Sequence, residues 1–137
     1  MKTLETLVNN TFSGDPVRFR PCAFFDERLD CIRVIARDCS VVEERVNDRV
    51  TVLIDSYFPQ PGRKRYVGFT IKGATHFCKQ HGWDTVRSIG MAEFLDALLA
   101  SSPEIVVQWF IDIVAKPLVQ EEKIEQVELP HGIPQAS

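Results

Sequence analysis

The chain has little of what usually announces a biochemical activity. It lacks a basic excess: 16 Lys and Arg against 19 Asp and Glu give a formal charge of −3, which argues against a dedicated nucleic-acid binder. No apolar run reaches the ~20 residues that span a bilayer. The most apolar stretch, 105–119, is interrupted by Gln108, Asp112, Lys116 and Pro117, and so predicts no membrane contact. The opening MKTLETLVNNTFSGD contains Glu5 and no hydrophobic core of signal-peptide length, so a cytoplasmic protein is expected. The four cysteines, Cys22, Cys31, Cys39 and Cys78, form no C-x-x-C pair, and free thiols in a reducing compartment are the simple expectation. Gly62, Gly68 and Gly73 lack the strand–turn–helix spacing of a phosphate-binding loop. There is no internal repeat and no low-complexity tract.

What is present is a change of period between Ile71 and Lys72. Upstream, from Val17, apolar and polar residues alternate as strands require; downstream, to Val119, apolar residues recur every three to four positions as helices require. With 137 residues, 45% of them hydrophobic, the chain is long enough for one domain with a real core. The expected fold is α+β: a four- or five-stranded, mostly antiparallel sheet followed by C-terminal helices packed on one face. The expected division is a single domain over 1–119 and a polar, partly mobile tail over 120–137, with Ile124, Val127 and Leu129 able to dock as an arm.

The alternation predicts strands over Val17–Phe25, Leu29–Arg37, Ser40–Val46, Arg49–Asp55 and Arg65–Ile71. Pro21 cannot donate to a ladder, which puts the first strand at an edge. The second strand has apolar residues on both faces and belongs in the centre. Asn47-Asp48 suits a two-residue hairpin turn between the third and fourth strands, because Asn and Asp tolerate positive φ. Helices are expected over 3–10, 72–81 (with Gly82 at a left-handed cap), 90–100 and 103–116, and a turn at 13–16. Residues 83–89 read as irregular or extended. Ser102-Pro103-Glu104 has the composition of a helix start, and Pro117 of a stop.

From Phe25 to Ala74 the chain resembles a family of short bacterial domains of unknown function. The residues that carry the likeness are Phe25-Asp26, Asp30-Cys31-Ile32-Arg33, Val42-Glu43-Glu44, Val50-Thr51-Val52-Leu53-Ile54-Asp55 and Val67-Gly68-Phe69-Thr70-Ile71. Phe25 stands where the family usually has Tyr, the 56–64 loop is long, and three C-terminal segments are additional. The resemblance implies a small antiparallel meander with a helix across it, and a regulatory or antitoxin-like partner of other small proteins in a bacterial or phage system. It implies no catalytic residue.

Candidate chemistry is sparse. His76-x-Cys78-x-x-His81 has zinc-ligand types, but histidines five apart on a helix point about 140° away from each other. Packing accounts for Cys78 more simply than nucleophilic catalysis, which needs an orienting base and an oxyanion donor pair. Asp26, Glu27, Asp30, Asp38, Glu43, Glu44, Asp48 and Asp55 are interleaved with Arg33, Arg37, Arg45 and Arg49, the pattern of a solvated face laced with cross-strand ion pairs. No catalytic residue, cofactor or metal is therefore expected. Arg63, Lys64 and Arg65, flanked by Tyr57, Phe58 and Tyr66, have the composition of a single-strand nucleic-acid contact, although three charges release few counterions. The stripe Glu104, Gln108, Asp112, Lys116 is the only polar line on a helix that is otherwise apolar, with Trp109 and Phe110 at its centre. Such a helix must be covered on most sides. The leading expectation is a non-catalytic interaction module that forms a homodimer or binds a small protein partner. The alternatives are a nucleic-acid-binding regulator using the 57–66 loop and a small enzyme with a site not visible in the sequence.

Overall fold

The computed structural model describes residues 19–57 and 62–129. The helix expected over 3–10 and the turn at 13–16 lie outside them. The fold is α+β: a mostly antiparallel sheet with the C-terminal helices against it, as expected. The described sheet has seven strands rather than four or five: β1 (Cys22–Asp26), β2 (Cys31–Ile35), β3 (Val41–Arg45), β4 (Val50–Asp55), β5 (Tyr66–Lys72), β6 (Ser88–Gly90) and β7 (Gln126–Glu128). Their spatial order is β3-β4-β5-β2-β1-β7-β6. The helices are α1 (Ala74–Gln80), α2 (Met91–Ser101), and a continuous stretch made of α3 (Ile105–Trp109), a π-helical segment (Phe110–Ala115) and α4 (Lys116–Glu121).

Alternation puts Ile32 and Val34 of β2, Val50 and Val52 of β4, and Phe69 and Ile71 of β5 on one face, where all six are buried against the helices. β2 lies in the middle of the sheet, as its two-sided apolar pattern predicts. It pairs with β5 rather than with β3, so the order departs from the simple meander that the resemblance implies. At Gly68 the backbones of β5 and β2 come very close. A Cβ there would strike the Val34 carbonyl oxygen. Beside it the β4–β5 register jumps from Leu53↔Gly68 to Ile54↔Tyr66, leaving Val67 as a bulge.

Several expectations are corrected. β1 is not an edge: Pro21 precedes the first laddered residue, and β7 pairs with β1 in parallel at Phe24↔Glu128. The β3–β4 connection has three residues, 47–49, because Val46 N–H donates to the Val50 carbonyl. Asn47 shapes it through its side chain, with Oδ1 accepting from the N–H groups of Arg49 and Val50, and its φ is not positive. This is the Asx-turn chemistry that Asn favours. Within 83–89, expected to be irregular or extended, residues 88 and 89 are extended as part of β6, whose pairing with β7 was not anticipated. The expected domain boundary at 119/120 falls inside α4, and Ile124, Val127 and Leu129 of the expected tail are buried in the core.

Pro117 does not stop the last helix. It sits in the first turn of α4, directly after the π-helical segment. There Lys116 N–H donates five residues back, to Ile111. The wider turn gives room to a ring that would otherwise press on the carbonyl four residues earlier. Nor does Ser102 cap the helix start. It ends α2, and Glu104 occupies the cap position through its backbone. The α1 terminus shows a substitute of another kind: Asp30, 45 residues away in sequence, accepts from both the N–H and Oγ1 of Thr75, at 3.0 and 2.7 Å. Asp30 has a left-handed φ of 47°, which Asp tolerates better than most residues. Gly82 adopts the left-handed conformation expected after α1.

Candidate functional site

The candidate surfaces are three: a loop, a helix side and a sheet face. The loop comes first. Tyr57 is exposed, Arg63 and Lys64 are exposed, and Arg65 and Tyr66 are half-buried; residues 58–61, Phe58 among them, lie outside the described residues. Lys64 Nζ stands 2.7 Å from Glu44 Oε2, and this hydrogen bond holds the Lys64 amine above its usual value. Arg65 lies 3.9 Å from Asp55, and Tyr66 packs against the core. Lys64 and Arg65 are thus directed at carboxylates of this chain, and Tyr66 is turned inward. Among the described residues, these side chains do not form a continuous basic-aromatic platform.

The second surface is the outer side of helix 105–121. Val107, Phe110, Ile111, Val114 and Ala115 are buried against the sheet. Phe110 meets Phe69 edge to face, so it is a core residue and not a contact residue. Ile105, Trp109 and Ile113 remain outside, 90%, 44% and 58% exposed, with Val106 at 38%. Their spacing of four places them along one side of the helix. Next to them Gln108 donates to Asp112 at 2.8 Å, and Lys116 lies 4.0 Å from the same carboxylate. A line of internally paired polar side chains therefore borders an apolar stripe.

The third surface was missed by sequence reasoning: the sheet face opposite the helices. Register places Thr51, Thr70 and Arg33 in one row across β4, β5 and β2, and no described helix covers them. A cleft of about 320 Å³ opens here, lined by Leu29, Asp30, Cys31, Arg33, Glu43, Thr51, Thr70, Lys72 and Gly73. A smaller hollow of about 180 Å³ shares Arg33 and continues over Ile35, Leu53 and Val67. Arg33 Nη1 reaches Asp26 at 3.5 Å, but its Nε is buried without a hydrogen-bond partner. Burial, reinforced by Asp26, pushes the Cys31 thiol up, while Arg33 draws it down. The alternating signal was visible in the sequence; which rows lie side by side was not.

The remaining candidates are placed by packing. Cys78 is buried, and its thiol is pushed up to about 11 by desolvation, the opposite of an activated nucleophile. His81 stacks on Phe77 and Trp83, with ring centroids 4.6 and 5.1 Å away, while His76 is exposed. Among the described residues no group of three or more His, Cys, Asp or Glu is placed to hold a metal ion. All four thiols are free, Cys22 and Cys39 exposed, Cys31 and Cys78 buried. The arginines of the strands find mixed partners: Arg45 lies near Asp48, but Arg37 reaches Glu122, and Arg49 reaches Ser101 Oγ and the face of Phe77. Among the described residues no helix is long and apolar enough to cross a membrane. No protein-family model matches this chain, and no curated protein or solved structure does so.

Proposed function

We propose that this protein is a non-catalytic interaction module that self-associates through the outer side of helix 105–121. The observation that carries the reading is the apolar stripe of Ile105, Trp109 and Ile113 left in solvent by the fold. Fully burying one such aliphatic side chain is worth about 1.5–3 kcal/mol. Contiguous exposed apolar residues ringed by polar ones are typical of association surfaces, and Trp is the residue most often found at their energetic centre. A second copy offers an identical stripe, so a two-fold contact would cover both at once. The paired Gln108, Asp112 and Lys116 would form its polar rim.

The test is solution mass by light scattering after gel filtration, at a low and a high protein concentration. The expected result is a mass that rises toward the dimer in the parent and stays monomeric in a Trp109→Glu/Ile113→Glu variant whose circular dichroism is unchanged. A parent that remains monomeric at both concentrations removes self-association. The nucleic-acid reading ranks second, because Lys64 and Arg65 already face Glu44 and Asp55. It predicts a salt-sensitive gel shift that is abolished by changing Arg63, Lys64 and Arg65 together to Ala.

A further inference from the structure

The cleft on the open sheet face collects polar groups that the fold leaves unused. Arg33 Nε is shut away from water with no acceptor, a costly state for a charged group's donor. Thr51 and Thr70, its neighbours in the same row, make no side-chain hydrogen bond among the described residues. Glu43 on β3 and Lys72 at the end of β5, both lining the cleft, are in no ion pair among the described residues. They are not paired with each other either. Unused groups of both charge signs therefore border one concavity, with neutral hydroxyls between them.

That arrangement selects a ligand by exclusion. A bare cation entering the cleft meets Arg33 and Lys72. A bare anion meets Glu43 and Asp30, whose Oδ1 already serves Thr75. A molecule with one charge of each sign a few bonds apart meets a partner at either end. The volume of about 320 Å³ lies at the lower limit of the range usual for small-molecule sites. We propose that this cleft binds a small zwitterion of the amino-acid type, its carboxylate on Arg33 and Lys72 and its ammonium on Glu43. The guanidinium suits a carboxylate because its donors form a planar fork. Thr51 and Thr70 offer hydroxyls to the bound molecule between the two charges. This site lies on the opposite side of the sheet from the helical stripe and stands or falls independently of self-association.

The experiment is an amide NMR titration of the full chain with L-alanine, and separately with propionate and ethylammonium, each of which lacks one of alanine's two charges. The expected result is saturable shifts at Cys31, Thr70 and Gly73 with L-alanine, binding at least about tenfold tighter than either single-charge probe, and no shift at the Trp109 indole. Glu43→Gln, on an exposed edge strand, should reduce L-alanine binding and relieve the exclusion of propionate. Arg33→Gln should weaken both. Because Arg33 also contacts Asp26, the Glu43 variant decides the matter if the Arg33 variant is destabilised. Absence of saturable shifts with L-alanine, or equal binding of propionate, would overturn the proposal.

Discussion

Phe69 on β5 and Phe110 at the start of the π-helical segment meet edge to face, their ring centroids 5.0 Å apart and their planes at 83°. Both rings are fully buried. The contact ties the sheet to the last helix and fixes which side of that helix turns inward. Offset and T-shaped aromatic pairs contribute about 0.5–1.5 kcal/mol beyond the area they bury. Removing the ring with Phe110→Ala should therefore cost about 3–5 kcal/mol, read as a lowered midpoint in urea. Trp109→Ala, one residue earlier and half out of the protein, should change the midpoint far less.

Gly68 is required by close approach, not by an unusual φ. A methyl group there would strike the Val34 carbonyl oxygen and lie 3.1 Å from Leu53 Cδ1. The carbonyl belongs to a central strand and cannot retreat without disturbing the ladder with β5. Gly68→Ala should destabilise the protein by about 1–3 kcal/mol through overpacking. A variant as stable as the parent in chemical denaturation would contradict the stated register.

Residues beyond 119 are part of the fold. Val127 and Leu129 are fully buried, and β7 holds β1 on one side and β6 on the other. Leu129→Ala should cost about 2–5 kcal/mol. Deleting residues 120–137 should abolish cooperative thermal unfolding, whereas deleting 130–137 leaves every described contact of β7 in place and should preserve it.

The thiols should fall into two classes. Cys22 and Cys39 are exposed, Cys31 and Cys78 buried, so a disulfide reagent should titrate two groups in the native protein and four after unfolding. Cys78 also makes stability depend on alkaline pH. Its value rises from 9.0 to about 11 on folding, so above pH 9 the unfolded chain gives up this proton first. Its contribution is present in full below that pH and is lost as pH rises toward about 11. Denaturation midpoints measured from pH 8 to 11 should fall more steeply for the parent than for Cys78→Ala.

Much of the sheet was legible because a strand with one buried face must alternate. The apolar phases of β2, β4 and β5 were readable residue by residue, and Asn47-Asp48 marked the β3–β4 reversal. The three-residue strands β6 and β7 were not readable: neither is long enough to display a period, and each exists because the other, with β1, supplies its ladder. Pro117 and Ser102 misled for a related reason. Their local preferences are real but small, and the packing of Phe110, Ile111 and Val114 carries the helix through the proline.

The candidate sites divide in the same way. Trp109 was marked by sequence as part of an over-apolar helix, and it does stand outside; Phe110, its neighbour, turns in. The residues that meet in the open-face cleft come from β2, β3, β4 and β5, and nothing local to any one strand brings Arg33 beside Thr70 and Thr51.

The sequence by itself determined the α+β class, the buried phase of the central strands and the cover demanded by helix 105–121, because each follows from periodicity along a single segment. Tertiary structure alone decided that β2 lies beside β5, that residues 126–128 close the sheet, and that Arg33, Glu43 and Lys72 share one cleft. Those outcomes depend on which strands pair and in what register, and pairing is a property of the whole chain that no local pattern encodes.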